Sequence, residues 1–398
     1  MAALNSNSFY HRPESKFPPS LWGDQFVNHV SDSKIAASMS EYNRSREVEA
    51  FDATKSGVKG LVDAGIAKIP RIFIHQDYIQ EDKTVCDLSV PVIDLGSLSN
   101  NRGEIIDQVR AAFEEWGVFK IVNHGIPTSS LSKAMKAVKE FHEQDTEVKK
   151  QYYSRDYLKK VVYNSNFDLY TNAAANWRDS LYLIMAPDPP TPQELPQVFR
   201  DPMMEFSEQA KNVGISVFEL LSEGLGLKKS HMLDMGCAMG EFLACNYYPA
   251  CPEPNMTLGF GSHTDSGFLT FLLQDEIGGL QVLHKDSWVD VPPSPGSLLV
   301  ISGDMMELIT NARFKSAYHR VVAKNLGPRI SVAFVFRMHL AGSGSSQLYG
   351  PIKELLSENN PPIYREAKGE EIVACRYAKG IEKTPLLWYF KLNNIQQP

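Results

Sequence analysis

The spacing of apolar residues changes near Gly240, and this change divides the chain into a helical part and a strand-rich part. Upstream, apolar positions recur three or four residues apart, as on one face of a helix, and they predict helices at 47–55, 105–116, 129–153 and 203–225. Two short segments there, VPVIDL and VFKIVN, predict strands. Downstream, short apolar or alternating runs separated by Gly, Pro, Asn or Asp predict strands at FLACNYY, LTFLLQ, GLQVLH, WVDV, SLLVISG, HRVVAK and RISVAFVF.

A succession of short, closely spaced strands is typical of an antiparallel sandwich or barrel. We therefore predict an α+β fold in which a helical N-terminal half packs around a β-core. Four regions are expected: a leader at 1–40 with little periodicity, a mostly helical region at 41–235, a strand-rich core at 236–345 and a helical tail at 346–398.

Composition excludes several function classes. The 398 residues are 43% hydrophobic and carry a formal net charge of −7, which argues against a nucleic-acid surface. No stretch approaches the roughly 20 apolar residues that a membrane helix needs. The five scattered cysteines form no CxxC pair, so neither a zinc knuckle nor a disulfide framework is indicated. The chain also begins without a secretory signal, so we expect it in the cytoplasm; a weak organelle-transit signal is the alternative. We further expect a monomer that binds neither nucleic acid nor membrane.

The strand-rich part contains a candidate metal site. GSHTDSGFLTFL places His263 and Asp265 two residues apart, and residues at that spacing on a strand point to the same face. His319 in FKSAYHRV, at the start of another predicted strand, offers a third ligand. Two imidazoles and one carboxylate are the ligand set of open-sited Fe(II) oxygenases. An HxD pair alone is a weak signal, so the third ligand carries the prediction.

A buried arginine accompanies this predicted metal site. Arg329 follows His319 by ten residues in PRISVAF, and Ser331 lies two positions further on the same face. A buried guanidinium is costly unless it meets an anion, and its planar fork suits a carboxylate. Asn246 and Tyr248 in NYY repeat the two-residue spacing. The alternative for Arg329 is a structural salt bridge, but together these polar side chains favour a small dianionic ligand.

The same residues carry a family resemblance. NHGIP, NYYPACPEP, HTDSGFLTFLLQDEIGGLQVL, TNARFKSAYHRV and GPRISVAFVF resemble the plant 2-oxoglutarate/Fe(II)-dependent dioxygenases. Within that family the chain is most similar to the 1-aminocyclopropane-1-carboxylate oxidase homologue group, which includes deacetoxyvindoline 4-hydroxylase. The resemblance runs from about Glu47 to the C-terminus and includes KIPRIFI, NWRD and LYGPIKELLSENNPPIY.

This resemblance implies a double-stranded β-helix, or jelly-roll, core and a set of cofactors. It implies Fe(II) as the metal, 2-oxoglutarate and O₂ as co-substrates, ascorbate as reductant and a small molecule as the substrate that is oxidised. It places the iron ligands at His263, Asp265 and His319. It places the 2-oxoglutarate contacts at Tyr248, Arg329 and Ser331, with Asn246 close by. The expected reaction is oxidative decarboxylation of 2-oxoglutarate coupled to hydroxylation, desaturation, ring closure or demethylation of a plant specialised metabolite.

The leader departs from this family. RP at 12–13, followed by FPPSLWGDQF at 17–26, resembles the N-terminus of a plant sesquiterpene synthase. Such cyclases bind a magnesium-diphosphate cluster through DDxxD, and this sequence contains no DD dipeptide. We therefore assign no chemistry to the leader.

Three other functions stay open on the sequence alone. A true 1-aminocyclopropane-1-carboxylate oxidase, which forms ethylene with ascorbate, would use the same triad. A zinc hydrolase accepts two His and one carboxylate, although no general base is evident beside them. A non-catalytic small-molecule binding protein could keep the fold, although an intact triad argues against it. The prime substrate is not determined, and candidate pocket residues are Tyr163, Val335 and Arg337.

Overall fold

The computed structural model describes residues 42–76, 78, 88–338, 347–379 and 385–394. The predicted leader at 1–40 lies outside these residues. Nine helices occur among the described residues: α1 Arg44–Thr54, α2 Gly57–Asp63, α3 Arg102–Glu115, α4 Thr128–His142, α5 Thr146–Lys150, α6 Arg200–Gly224, α7 His231–Asp234, α8 Asp304–Ile309 and α9 Gly369–Lys379.

Eight strands form one large sheet, in the order β1-β2-β10-β7-β12-β5-β4-β3. Their bounds are β1 Val92–Asp94, β2 Val118–Val122, β3 Val161–Asn164, β4 Asp179–Ala186, β5 Gly240–Tyr248, β7 Leu269–Gln274, β10 Leu298–Ser302 and β12 Arg329–Arg337. All neighbours are antiparallel except β1 and β2. The region 41–235, predicted to be mostly helical, thus also supplies four strands at the two edges of this sheet.

A second sheet has the order β6-β11-β8-β9. Its strands are β6 Leu258–His263, β8 Leu280–His284, β9 Ser287–Asp290 and β11 His319–Val322. Residues of both sheets line one cavity, which is the arrangement of a jelly roll, so the predicted jelly-roll core is confirmed. A separate pair, β13 Leu348–Tyr349 and β14 Ala367–Lys368, lies in the region 346–398, which was predicted to be a helical tail.

Three helices cover the outer face of the large sheet. α4 packs on β5 and β12, α6 on β7, and α3 on β2. α6 is amphipathic, and its apolar stripe includes Phe206 and Phe218, both fully buried. Each large side chain buried in this way stabilises the fold by about 1.5–3 kcal/mol. Gly214 on α6 allows close approach to the sheet, because a Cβ there would lie 2.1 Å from the ring of Phe336.

The predicted elements agree with the structure except at a few places. The helix predicted at 129–153 is two helices, since Asp145 caps a new one by accepting a hydrogen bond from the Glu147 amide. Among the strands, β3, β4, β6, β13 and β14 were not predicted. β6 has the sequence LGFGSH, and two glycines in six residues weaken the apolar alternation on which strand prediction depends.

Candidate active site

His263 and His319 lie side by side on adjacent strands of the smaller sheet. His263 is the last residue of β6, His319 is the first of β11, and the two residues are direct partners in the antiparallel register. Their ring centroids are 4.2 Å apart, and both side chains are buried. Strand pairing therefore brings together two imidazoles that are 56 positions apart in the sequence.

Asp265 does not lie on the strand, contrary to the prediction. β6 ends at His263, and Asp265 belongs to the loop that follows. This loop is held because the backbone oxygen of Asp265 accepts a hydrogen bond of 2.8 Å from the amide of Asp304 at the start of α8. Asp265 Oδ1 nevertheless lies 3.7 Å from His263 Nε2 and 3.8 Å from His319 Nε2. The three residues converge through a loop rather than a shared strand face.

Hydrogen bonds orient the two imidazole rings so that their Nε2 atoms face one point. Nδ1 of His263 lies 2.8 Å from the Gly261 oxygen, and Nδ1 of His319 lies 3.0 Å from the Ala317 oxygen. Each Nδ1–H can donate to its carbonyl, which leaves the Nε2 lone pairs free for a metal. Burial, then the neighbouring imidazole, lowers the pKa of His263 well below its usual value, so the neutral, metal-binding form is favoured.

The carboxylate is oriented in the same way. Thr270 Oγ1 donates a hydrogen bond of 2.5 Å to Asp265 Oδ2, which leaves Oδ1 turned towards the imidazoles. One ligand atom from each of the three residues lies within 4.8 Å of the others. Two neutral imidazoles and a carboxylate with one oxygen free to bind form a donor set that fits a divalent ion such as Fe(II).

Arg329 lies in the same cavity, on the neighbouring sheet. It is the first residue of β12 and only 3% exposed. Its Nε donates to the Gly278 oxygen at 2.7 Å, its Nη2 to Gln274 Oε1 at 3.2 Å and its Nη1 to Ser331 Oγ at 3.3 Å. None of the ion pairs among the described residues includes Arg329, so the salt-bridge alternative is not what the structure shows.

The register of β12 against β5 assembles the predicted polar group. Arg329 is the partner of Tyr248, and Ser331 is the partner of Asn246. The Arg329 guanidinium lies 4.7 Å from the centre of the Tyr248 ring. Asn246 Oδ1, however, accepts hydrogen bonds from Ser180 and from a residue that sequence reasoning missed, Arg178.

The cavity has a volume of about 530 Å³ and includes His263, Asp265 and His319 in its wall. The predicted pocket residues Val335 and Arg337 line it, but Tyr163 does not. Tyr163 is fully buried and packs edge-on against Phe141 in the core, whereas its neighbour Val162 faces the cavity. The prediction failed because successive strand residues point to opposite faces, and β3 itself was not predicted.

A second residue that sequence reasoning missed is Arg376, on α9 in the C-terminal region. Its Nη2 donates to the backbone oxygen of Thr264, between His263 and Asp265, at 2.8 Å. Its Nη1 lies 3.8 Å from Asp304 Oδ2. The C-terminal helix therefore helps to hold the loop that carries Asp265, and no local signal in the sequence indicates this contact.

Three other described histidines, His124, His142 and His284, have structural surroundings. His142 is buried and stacks on Tyr247, and His284 stacks on Trp116. His124 lies between the Gly296 oxygen and the Ile126 amide. The four cysteines among the described residues, Cys237, Cys245, Cys251 and Cys375, form no disulfide bond. No helix in the described part of the chain combines the length and apolar character needed to cross a membrane.

Two family models match the chain. The 2OG-Fe(II) oxygenase superfamily matches residues 239–338, which contain the whole triad. The N-terminal model of non-haem dioxygenases in morphine synthesis matches residues 90–202. The chain belongs to the 2OG-Fe(II) oxygenase superfamily.

Curated relatives extend this similarity over most of the chain. Deacetoxyvindoline 4-hydroxylase of Catharanthus roseus is 49% identical over 369 residues, which cover 90% of this chain and 92% of that protein. The 1-aminocyclopropane-1-carboxylate oxidase homolog 1 of Arabidopsis thaliana is also 49% identical, over 88% of this chain and 97% of its own length. The crystal structure of JOX2 in complex with 2OG, Fe and JA matches 84% of this chain with a TM-score of 0.74 at 26% identity.

These comparisons identify the activity at the level of the class. The protein is a 2-oxoglutarate- and Fe(II)-dependent oxygenase, an oxidoreductase of the dioxygenase type. Its cofactor is Fe(II) and its co-substrate is 2-oxoglutarate, and the family typically uses ascorbate as reductant. The ethylene-forming alternative is not favoured, since a hydroxylase is among the relatives and JOX2 is similar in fold.

Proposed function

We propose that His263, Asp265 and His319 hold the Fe(II) of this oxygenase. The observation that carries the proposal is the convergence of one Nε2 from each histidine with Asp265 Oδ1 in the cavity wall. Their remaining polar atoms are already used, by backbone carbonyls and by the Thr270 hydroxyl. A zinc hydrolase would use the same ligands, but it would leave the nearby buried arginine without a purpose.

We further propose that Arg329, Ser331 and Tyr248 bind 2-oxoglutarate, with Asn246 beside them. Arg329 is held by its Nε–H on the Gly278 oxygen, so the outer edge of the guanidinium is fixed for the far carboxylate of the co-substrate. The Ser331 hydroxyl lies next to that edge. Asn246 has a supporting part in this proposal, because its side-chain oxygen already accepts two hydrogen bonds.

The prime substrate is proposed to be a small specialised metabolite of the alkaloid, terpenoid or phenolic kind, bound in the cavity as a single molecule. The cavity of about 530 Å³ lies in the usual range for a small-molecule site. Val335 and Arg337 contribute to its wall. Hydroxylation is the proposed outcome, because a relative at 49% identity is named a 4-hydroxylase. The protein is proposed to act as a cytoplasmic monomer.

The chain's own residues place reactants and keep water away. When bound, Fe(II) would supply the chemistry by which O₂ oxidises both partners, converting 2-oxoglutarate to succinate and CO₂ and oxidising the substrate. The Ala317 and Gly261 carbonyls hold the imidazoles as neutral ligands. Apolar side chains such as Leu272 and Ile301 line the same cavity, so the reaction takes place away from bulk water.

The test is succinate formation from 2-oxoglutarate by the full chain with ascorbate, supplied with Fe(II) or with Zn(II). We expect turnover with Fe(II) alone, and loss of turnover and of metal binding in His319→Ala. The matched control is His231→Ala, because His231 lies on α7 outside the cavity wall. Normal succinate formation by His319→Ala would contradict the ligand assignment, and equal succinate formation with Zn(II) and with Fe(II) would contradict iron as the catalytic metal. Screening plant extracts for 2-oxoglutarate-dependent mass shifts then finds the substrate.

A further inference from the structure

One wall of the cavity carries buried polar atoms that lack a partner within the described residues. They are Arg178 Nε, Tyr182 Oη and Asp168 Oδ1, and all three residues line the cavity. Arg178 directly precedes β4, and Tyr182 lies on the same face of that strand, four positions further. Buried polar atoms nearly always have a hydrogen-bond partner, so this wall is suited to a polar group of a ligand.

Arg178 is the most unusual of the three. It is 2% exposed and donates one hydrogen bond, from Nη1 to Asn246 Oδ1 at 3.1 Å. Its guanidinium lies 3.4 Å from the centre of the Phe260 ring, which in turn lies 3.8 Å from the ring of His263. The ion pairs of the described residues do not include Arg178. A buried cation without a counter-ion is costly, and the cost is offset when an anion binds.

The cavity wall has an excess of positive charge, since four further cations line it besides Arg178 and Arg329: Arg155, Lys159, Arg337 and Arg376. Arg155 pairs with Asp52, and Arg376 faces Asp304. In the proposed site, the positive charges of Fe(II) and Arg329 are balanced by the negative charges of Asp265 and 2-oxoglutarate.

Asp168 is the remaining acid in the described lining. Its Oδ2 already accepts a hydrogen bond from Asn172. Burial raises the pKa of Asp168, while the positive charge of Arg178 lowers it, so Asp168 is the acid in the lining that interacts with Arg178. As a single acid among several cations, Asp168 does not balance the positive charge of the cavity wall.

We propose that the prime substrate carries a carboxylate, which binds to Arg178 with a further hydrogen bond from the Tyr182 hydroxyl. This proposal rests on the proposed function, because it concerns the substrate of the same site. The rest of the substrate is apolar, since Ile184, Phe242 and Val335 border the same space. A single aromatic ring, that of Phe260, separates the carboxylate site from His263, so the oxidised carbon lies a few bonds from the carboxylate.

The experiment measures binding of three probes that share one skeleton: 4-cyclohexylbutanoic acid, its methyl ester and 4-cyclohexylbutylamine. Calorimetric titration is done anaerobically on the full chain loaded with Fe(II) and 2-oxoglutarate. We expect the acid to bind at least tenfold more tightly than the ester. Arg178→Gln should remove that preference, and Tyr182→Phe, which keeps the ring stacked on Phe242, should weaken acid binding about three- to tenfold. The control Arg365→Gln, in an ion pair outside the cavity wall, should keep the wild-type preference.

Several results would overturn the carboxylate proposal. They are equal binding of acid and ester, no binding of the acid, or an acid preference that survives in Arg178→Gln. Tighter binding of the amine would make Asp168 the anchor instead. A large rise in the 2-oxoglutarate KM of Arg178→Gln, without a change in probe preference, would assign the arginine to the co-substrate. A wild-type protein that makes no succinate would contradict the proposed function instead. The carboxylate proposal could still be tested in that case, because acid and ester are compared by binding and not by turnover.

Discussion

Replacing Arg329 by lysine tests how the co-substrate is held. Lysine keeps the positive charge but presents one nitrogen instead of a planar fork. In the structure the guanidinium uses Nε to anchor itself on the Gly278 oxygen, while Nη1 and Nη2 lie near Ser331 and Gln274. A lysine ammonium cannot keep that anchor and also offer two parallel donors to a carboxylate. Arg329→Lys therefore removes at least one charged hydrogen bond from the proposed 2-oxoglutarate site.

The size of the effect follows from the burial of the arginine. Only 3% of Arg329 is exposed, so water does not replace the lost donor. A hydrogen bond to a charged group contributes about 1.5–3 kcal/mol, and about 1.4 kcal/mol corresponds to a tenfold change in binding. We expect the KM for 2-oxoglutarate to rise roughly ten- to a hundredfold. Metal affinity should stay within about twofold, since no described hydrogen bond joins Arg329 to the three metal-site residues.

The assay is succinate formation over a range of 2-oxoglutarate concentrations, with Co(II) titration as the separate measure of the metal site. Arg313→Lys is the matched control, because Arg313 forms an exposed ion pair with Glu114 away from the cavity and such pairs contribute little. An unchanged 2-oxoglutarate KM in Arg329→Lys would show that Arg329 is structural. A parallel loss of Co(II) binding would show that it supports the metal site instead.

Two further substitutions test the site and the core. Thr270→Val removes the hydroxyl that orients Asp265. Metal affinity should fall about ten- to a hundredfold, as it typically does when a hydrogen-bond partner of a metal ligand is lost. Unchanged Co(II) affinity would refute this role. His142 is fully buried, and burial lowers its pKa to about 3. As the pH falls below about 6.5, this imidazole therefore takes up a proton only in the unfolded chain. The free energy of unfolding decreases with falling pH as a result. Between pH 6.5 and pH 5 the loss is about 1.7 kcal/mol, because the slope reaches 1.36 kcal/mol per pH unit only when the unfolded imidazole is fully protonated and is about half of that at pH 6.5. His142→Phe, which keeps an aromatic ring beside Tyr247, should lose this dependence in urea unfolding, and an unchanged pH slope would contradict it.

Local patterns were sufficient for those features that depend on neighbours in the chain. Alternation predicted β5, β7 and β12, and it placed Arg329 beside Ser331 because residues two apart on a strand share a face. The helix predicted at 203–225 corresponds to α6, Arg200–Gly224, because its apolar stripe repeats with the helical period. The residue types in the triad were also sufficient to indicate a metal and its class.

Tertiary structure decided how distant segments meet. Arg178 touches Asn246, 68 positions away, and Arg376 touches Thr264, 112 positions away. Such contacts depend on which strands pair, in which register, and on where a helix packs, and a register change of one residue turns every side chain to the opposite face. For the same reason Val162 faces the cavity and Tyr163 the core. Asp265 reaches the imidazoles from a loop held by Asp304, a contact between segments that no local pattern contains.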